Sequence, residues 1–258
     1  MASPAASLPG RRPSQIAGGW EAGLLALMAL LYLAGSFVNP TFFGSADALH
    51  AVLRDAARYA VMAVGMTFVI VNKDLDLSVG STYGLVGVAF SILFDASHLD
   101  LGVGPAVAFC LGLGLLIGLV NGLLVTVLRV PAFIATLTML LILRGVVLGL
   151  TGGKSILYPI KARDFPLFFH LGETNALGFN NQIPLALVII LVGAVVLAKT
   201  RWGYETFATG GNELAAVYAG IATRWVRVRA YVISSLCATL AGLMATAQDK
   251  GVTAQAGL

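Results

Sequence analysis

Few side chains in this 258-residue sequence are of types that do chemistry, and their spacing narrows what it can be. The segment Asp74-Leu75-Asp76-Leu77-Ser78-Val79-Gly80-Ser81 gathers two carboxylates and two hydroxyls between two apolar blocks. Carboxylates at membrane depth are costly unless they face water or a partner. Two readings are open: a polar, glycine-containing break between short helices that lines a cavity, or a turn in which Asp76 and Ser78 cap the following helix. Arg144 lies well inside another apolar block. A buried arginine costs about 2.5–3.5 kcal/mol on insertion scales, so it either faces protein or water or snorkels to the nearby interface.

Other chemistry is missing. Gly152-Gly153-Lys154-Ser155 resembles the end of a phosphate-binding loop, but Leu148 stands where the motif needs its first glycine. The preceding segment reads as a membrane helix rather than a strand, so nucleotide binding is rejected. His50, His98 and His170 are spread far apart, read as three isolated loop histidines. No zinc-ligand cluster or nucleophile elbow appears, which argues against a metal site and against an embedded enzyme.

The elements that must hold these residues are set by composition. The hydrophobic fraction is 58%, the charged fraction 11% and the net charge +4. A disordered chain needs the opposite balance, and scattered basic residues do not make a nucleic-acid binder. Both cysteines sit in apolar segments, which excludes a disulfide scaffold. Apolar blocks run over about 20–38, 57–72, 79–94, 103–128, 131–150, 183–198 and 230–247. They lack the alternating polarity of barrel strands, and lipid forces the backbone to satisfy itself, so they are helices. The expectation is an all-α polytopic membrane protein with about seven transmembrane helices. A polar tail over 1–19 precedes a transmembrane domain over 20–258. The first block is too long for a signal core and has no small-x-small cleavage site.

Orientation follows from lysine and arginine. Lys199, Arg201, Arg224, Arg227 and Arg229 crowd the 199–229 loop, which is therefore expected in the cytoplasm, with the 1–19 tail. The 151–182 loop is then external. Gly114, Gly118 and Gly122 recur every four residues, as do Gly145, Gly149 and Gly153. Such faces let helix backbones approach; they read as bundle packing or as sliding surfaces. Within 199–229, Asn212 is a good N-cap, Ala215 and Ala216 favour helix, and Gly220 is a natural stop. A helix of about two turns is expected between two glycine hinges. So short a helix is marginal alone and should dock on something.

At this point the chain resembles the permease subunit of bacterial ATP-binding-cassette sugar importers of the ribose/xylose-type branch. The residues that carry the likeness run over roughly 37–250. Gly65-Met66-Thr67-Phe68-Val69-Ile70, leading to Asp76-Leu77-Ser78-Val79-Gly80-Ser81, is similar to the family's first signature. Asn121-Gly122 with Val130-Pro131-Ala132-Phe133-Ile134-Ala135-Thr136-Leu137 and Arg144-Gly145 is similar to its second, and Thr151-Gly152-Gly153 to the turn after it. Thr200-Arg201-Trp202-Gly203 through Gly210-Gly211-Asn212-Glu213-Leu214-Ala215-Ala216 and Gly220-Ile221 is similar to its coupling segment. Where the family commonly has Gly-Gly-Ile, this chain has Lys73-Asp74-Leu75, which puts two charges beside the expected cavity.

The resemblance implies a roughly ten-helix bundle, of which this chain is expected to be a C-terminally incomplete part. It implies a cytoplasmic ATPase, a periplasmic sugar-binding protein and a second permease subunit, homodimeric or heterodimeric, in the bacterial inner membrane. ATP and magnesium would sit in the partner, with no cofactor in this chain. Coupling to the ATPase is expected through a 208–220 helix and its surroundings: Gly203, Ala208, Gly210, Asn212, Glu213, Ala215, Ala216 and Gly220. The translocation path is expected to draw on Asp76, Ser78, Gly80, Asn121, Phe133, Thr136 and Arg144. The 151–182 loop, with Lys161, Arg163, Asp164, Phe165, Phe168 and Phe169, becomes a surface for the binding protein or else an amphipathic segment on the membrane. The rivals are an ion-coupled secondary transporter using Asp74, Asp76 and Arg144, and a non-transporting fragment.

Overall fold

The computed structural model describes residues 19–39, 45–94, 99, 101–157, 166–175 and 178–252. The 1–18 tail, His98, Lys161, Arg163, Asp164 and Phe165 lie outside them. The chain divides into a unit over residues 1–52 and one over 53–258. The first holds helix α1, Gly19–Val38, whose described leucines are exposed, and the first turns of α2, Ala46–Val71. His50 lies in α2, not in a loop as expected.

The second unit is helical. After the rest of α2 come α3, Val79–Phe94, α4, Val103–Thr126, and α5, Ala132–Thr151. Strand β1, Ile156–Leu157, and the short α6, Pro166–Phe169, follow, then α7, Gln182–Lys199. Two helices, α8, Arg201–Gly211, and α9, Glu213–Tyr218, precede the long α10, Thr223–Asp249, and β2, Gly251–Val252. The strands form one two-residue antiparallel pair, Ile156 with Val252 and Leu157 with Gly251. Helices thus occupy all seven apolar blocks. Four of them, α4, α5, α7 and α10, are long and apolar enough to cross a membrane, while α3 is apolar but shorter.

The main departure from expectation is the 199–229 stretch, which is mostly helix. Thr200, in an extended conformation, breaks α7 from α8, and its side chain accepts from the Gly203 backbone N–H at 3.4 Å. A Cβ at Gly203 would lie 2.0 Å from the Leu197 carbonyl oxygen, so only glycine lets α8 turn this tightly against the end of α7. The composition of 199–211 looked like loop because its apolar residues are few. An Arg201–Glu205 pair at i,i+4 and the Thr200 cap supply the helix instead.

Three helices end on a basic residue where glycine is usual. Lys73 after α2, Arg129 after α4 and Lys250 after α10 have φ of 62°, 56° and 53°. The left-handed conformation costs these side chains about 1 kcal/mol or more. Each sits at the negative end of a helix dipole, where a positive charge offsets part of that.

Helix α10 runs through the centre of the bundle and is largely buried. Its residues are small and polar: Ser234, Ser235, Thr239 and Thr246 are all buried. Two of the hydroxyls are satisfied within the helix, Thr239 donating to the Ser235 carbonyl and Thr246 to that of Gly242. Lipid gives helices no hydrophobic reason to associate, so close backbone contact must do it. The Gly114-Gly118-Gly122 face provides that contact. A Cβ on each would come within 2.0 Å of Thr239 Oγ1, 2.6 Å of Val232 Cα and 2.9 Å of Val228 Cα respectively. The packing reading therefore holds for this triplet. Gly145, Gly149 and Gly153 meet nothing within 4 Å.

At Phe168 and Phe169 the 151–182 stretch is anchored on the bundle. Phe168 stacks on Phe90 at 4.9 Å between ring centroids, and Phe169 lies against Phe94 at 5.6 Å. These two rings are thus occupied inside the chain rather than presented outward. Gly152 and Gly153, with φ of 59° and 75°, form the stop of α5, confirming that Gly152-Gly153-Lys154-Ser155 ends a helix instead of opening one.

The two glycine faces predict opposite outcomes. Gly118→Ala should lower stability by about 1–3 kcal/mol through overpacking against α10. Gly149→Ala should leave it unchanged or slightly raised. Thermal unfolding of the purified protein in detergent checks both.

Candidate functional site

The polar break over 72–78 is the centre of the site. Helix α2 ends on its own carbonyls: the Asn72, Lys73 and Asp74 backbone N–H groups donate to Val69, Ile70 and Val69 again, and the Asn72 amide to Phe68. Lys73 stands at the left-handed position, where a glycine would cost nothing. Residues 74–78 then carry the chain to α3 outside any helix or strand. One oxygen of the Asp76 carboxylate accepts from the Ser78 N–H at 3.1 Å and its hydroxyl at 2.6 Å. The other accepts from the Ser234 hydroxyl of α10 at 2.9 Å. The Asn121 amide of α4 donates to Ser78 Oγ at 2.8 Å. The Leu75 carbonyl accepts from Thr136 of α5 and from the Tyr231 hydroxyl of α10, each at 3.4 Å.

Four helices are therefore tied to one short break, and the carboxylate at its centre is 1% exposed. The polar break between the two helices is present, with Asp76 buried and not open to a cavity. Asp76 and Ser78 do form the turn into α3, but they also fasten it to α4 and α10. Of the path candidates, Asp76, Ser78, Asn121 and Thr136 come together here, with Gly80 in the next turn. Phe133 is exposed on the first turn of α5, and Arg144 is half-buried two turns or more farther along it. Asn121 Oδ1 has no partner among the described residues, nor does the nearby Ser235 hydroxyl of α10.

The two charges unusual in this segment do not face a cavity. Asp74 receives a forked pair of hydrogen bonds from Arg227, Nε and Nη2 each at 2.8 Å. This geometry gives both strength and orientation. Arg227 Nη1 also lies 3.9 Å from Glu213, at the start of α9. Lys73 Nζ donates to the Gly211 carbonyl at 3.2 Å. Gly210 comes so close to the break that an added Cβ would stand 1.8 Å from the Val71 carbonyl oxygen. The break and the base of α9 are one joint.

Helix α9 stands on that joint. Asn212 caps it, its Oδ1 accepting from the Ala215 N–H at 3.1 Å, and Gly220, at φ 80°, follows its end. Ala216 is buried at 4% exposure, while Leu214 and Tyr218 are 72% and 89% exposed and Val217 about half. The spacing of these three residues puts an apolar face on one side of a six-residue helix. The helix begins at Glu213, so Ala208 and Gly210, expected within it, belong to α8. Asn212, Glu213, Ala215 and Gly220 are exposed, and Gly203, Gly210 and Ala216 face the chain itself. Sequence reading missed Leu214, Val217 and Tyr218, although an exposed i, i+3, i+4 apolar set was the available signal. It also missed Ser234, Tyr231 and Arg227, whose partners lie more than 150 residues away.

Behind α9, Glu205 of α8 accepts from Arg201 at 2.9 Å and from Arg229 of α10 at 2.6 Å. Arg229 in turn lies over the Trp202 ring at 5.3 Å. The hydrogen bond from Arg229 holds the Glu205 carboxyl below the usual glutamate range. Among the described residues no group of three metal-ligating side chains occurs.

This geometry is that of a membrane bundle with a braced knob at one end, and its sequence relatives agree. A family described as branched-chain amino acid transport system / permease component matches residues 48–258. The chain belongs to this permease family. It is 36% identical to the ribose import permease protein RbsC of Escherichia coli K12 over 238 residues, 92% of this chain and 72% of that one. The ribose permease of Haemophilus influenzae is 32% identical over the same shares. The autoinducer 2 import system permease protein LsrC of Yersinia pseudotuberculosis is 32% identical over 91% of this chain and 64% of its own. No solved structure matches. The chain is thus a multi-pass permease subunit of an ATP-binding-cassette import system, and the relatives are transport subunits rather than enzymes. The ion-coupled carrier is not favoured.

Two outcomes follow from the joint. Asp74→Ala leaves the Arg227 fork without its carboxylate, and since Asp74 is buried this permease should lose about 3 kcal/mol. The exchanged pair Asp74→Arg with Arg227→Asp should recover part of that, read as thermal unfolding in detergent. Glu205 titrates below its unfolded value, so its stabilisation is present above the ordinary glutamate range, near 4.3, and is lost as pH falls through the depressed native value. Trp202 fluorescence should therefore hold steady from neutral pH down through that range and change only below it, and Glu205→Gln should abolish the acid step.

Proposed function

We propose that this chain forms the translocation path of an importer for a monosaccharide or polyol, and that α9 is the element gripped by a separate cytoplasmic ATPase. The single observation that carries the coupling role is α9 itself. A six-residue helix exposes Leu214, Val217 and Tyr218 while Arg227, Asp74 and the Asn212 cap fix its base. An apolar face of that kind on so short a helix is stable only with a partner against it. Cargo of the sugar class is favoured by the relatives, since permeases alike over nine-tenths of the chain carry ribose import in their names.

The mechanism follows the bonds. ATP and magnesium bind in the partner, which pushes on α9. The push passes through the Arg227–Asp74 fork to the break, and from Asp76 through Ser78, Ser234 and Asn121 to α3, α10 and α4. A hydrogen-bonded break moves as a unit, because each of its polar groups would otherwise be stranded in an apolar interior. Helices α3, α4, α5 and α10 then shift together between outward and inward openings. The basic crowding of Lys73, Arg129, Lys199, Arg201, Arg224, Arg227 and Arg229 at the α9 end supports its placement in the cytoplasm of a bacterial inner membrane. A periplasmic binding protein delivers cargo at the other end, and a second permease subunit completes the path.

The test is association with the ATPase. Leu214→Asp and Tyr218→Asp should each cut co-purification of the ATPase at least tenfold, with the permease still folded and inserted. Gly210 is unsuited to this test, because any side chain there collides with Val71 and disturbs the joint instead. Undiminished co-purification by both variants would remove the coupling assignment. A thiol introduced as Ala215→Cys should be labelled only from the cytoplasmic side.

A further inference from the structure

A charged cluster that coupling does not use lies at the far end of α10. That helix has 27 residues, so Asp249 stands about 40 Å from the Thr223 end beside α9. Arg58 of α2 is buried there, at 7% exposure. Its Nε donates to Gln182 Oε1 of α7 at 2.9 Å, and its Nη1 lies 3.4 Å from Asp249 and 3.7 Å from Asp55. The Gln182 amide donates in turn to the Met244 carbonyl of α10 at 2.7 Å. Tyr83 of α3 stands close to Arg58 and Asp249. Ala57, Ala186, Ala241 and Met244 pack beside the cluster as an apolar plug between α2, α7 and α10.

Two features set this cluster apart from an ordinary structural ion pair. The Asp249 contact is long, and 53% of that side chain is exposed. Arg58 Nη2, in contrast, is buried and has no partner among the described residues. A buried donor left unmet is costly, so any arrangement that gives Nη2 an acceptor competes with this one. The acceptor's chemistry is narrowed by what surrounds it. An anion would meet the Asp55 and Asp249 carboxylates, which already balance the guanidinium. A cation would meet the guanidinium itself. Among neutral groups an amide carbonyl only accepts, whereas a hydroxyl accepts and donates at one atom. A hydroxyl can therefore take from Nη2 and give to Asp249, and a molecule with adjacent hydroxyls can do so twice.

We propose that Arg58 is the outer cargo contact of this permease, latched to Asp249 while the end away from α9 is shut and turned to the hydroxyl groups of a neutral polyol when it opens. The inference rests on the sugar reading of the cargo. It assigns the permease a recognition group of its own, far from both the break and the coupling face.

The assembled transporter in right-side-out membrane vesicles tests it, with Ala241→Cys as a reporter buried in the apolar plug. A membrane-impermeant maleimide added outside should label that thiol slowly, counted above the native Cys110 and Cys237. Asp249→Ala, at an exposed position, should speed the labelling about tenfold. In that opened form an excess of D-ribose, D-xylose or ribitol should slow labelling severalfold, and inorganic phosphate should not. Adding Arg58→Lys, which keeps the charge and loses the fork, should abolish the slowing. Labelling unchanged by Asp249→Ala overturns the latch. Slowing that survives Arg58→Lys, or that phosphate also produces, overturns the cargo contact. Absence of slowing overturns it too and leaves Nη2 to water. Uptake of the same three compounds by the wild-type transporter separates this inference from the reading beneath it. Uptake without slowing removes the Arg58 contact and spares the sugar cargo, while uptake of none of them removes both.

Discussion

A helix that stops inside a lipid-embedded body must find partners for every polar group it exposes there, since no water supplies them. In this permease that requirement falls on residues 72–78. Asp76 is the costliest group in the segment, and its carboxylate is met by three donors from its own turn and from α10. Everything around the break follows from satisfying it. Asn121 sits beside Gly118 and Gly122 on a helix that comes within backbone contact of α10. Ser234 itself lies against Gly65 of α2, where an added Cβ would stand 2.7 Å from the Ser234 Cα. Remove the small residues and the hydrogen bonds lose their geometry; remove the hydrogen bonds and the carboxylate loses its reason to be buried.

The same segment faces the other way with different chemistry. Asp74, two residues before Asp76, bonds instead toward the base of α9. There it meets Arg227, which also approaches Glu213 at the foot of α9. One short stretch of chain thus joins an interior network to a surface helix. A transporter driven from outside the membrane needs such a connection, because force applied at a surface helix does nothing unless the helix is stiffly attached to what must move. The forked arginine bond and the Gly210 approach to Val71 supply that stiffness.

Much was legible in the chain. The apolar blocks located every long helix, because lipid leaves a buried backbone no alternative. The Asn212 cap and Gly220 marked the short helix, since both act through neighbours a few residues away. The Gly114-Gly118-Gly122 spacing marked a packing face. Its twin, Gly145-Gly149-Gly153, has the same spacing and meets nothing, so periodicity located a face without saying whether anything lies against it. Gly203 and Gly210 were grouped with the coupling residues, and the structure places them at two tight backbone approaches.

What the amino-acid order alone determined is local or one-dimensional: which segments are helical, where they stop, and that their composition belongs in lipid. Only the tertiary structure decided which partners meet across long separations. Asp74 with Arg227, Asp76 with Ser234 and Leu75 with Tyr231 are joined over more than 150 residues. No periodicity or propensity encodes such a pairing, because it depends on how helices with nearly interchangeable apolar surfaces settle against one another. The settling is chosen by small residues and by a handful of polar groups that can be satisfied in only one arrangement.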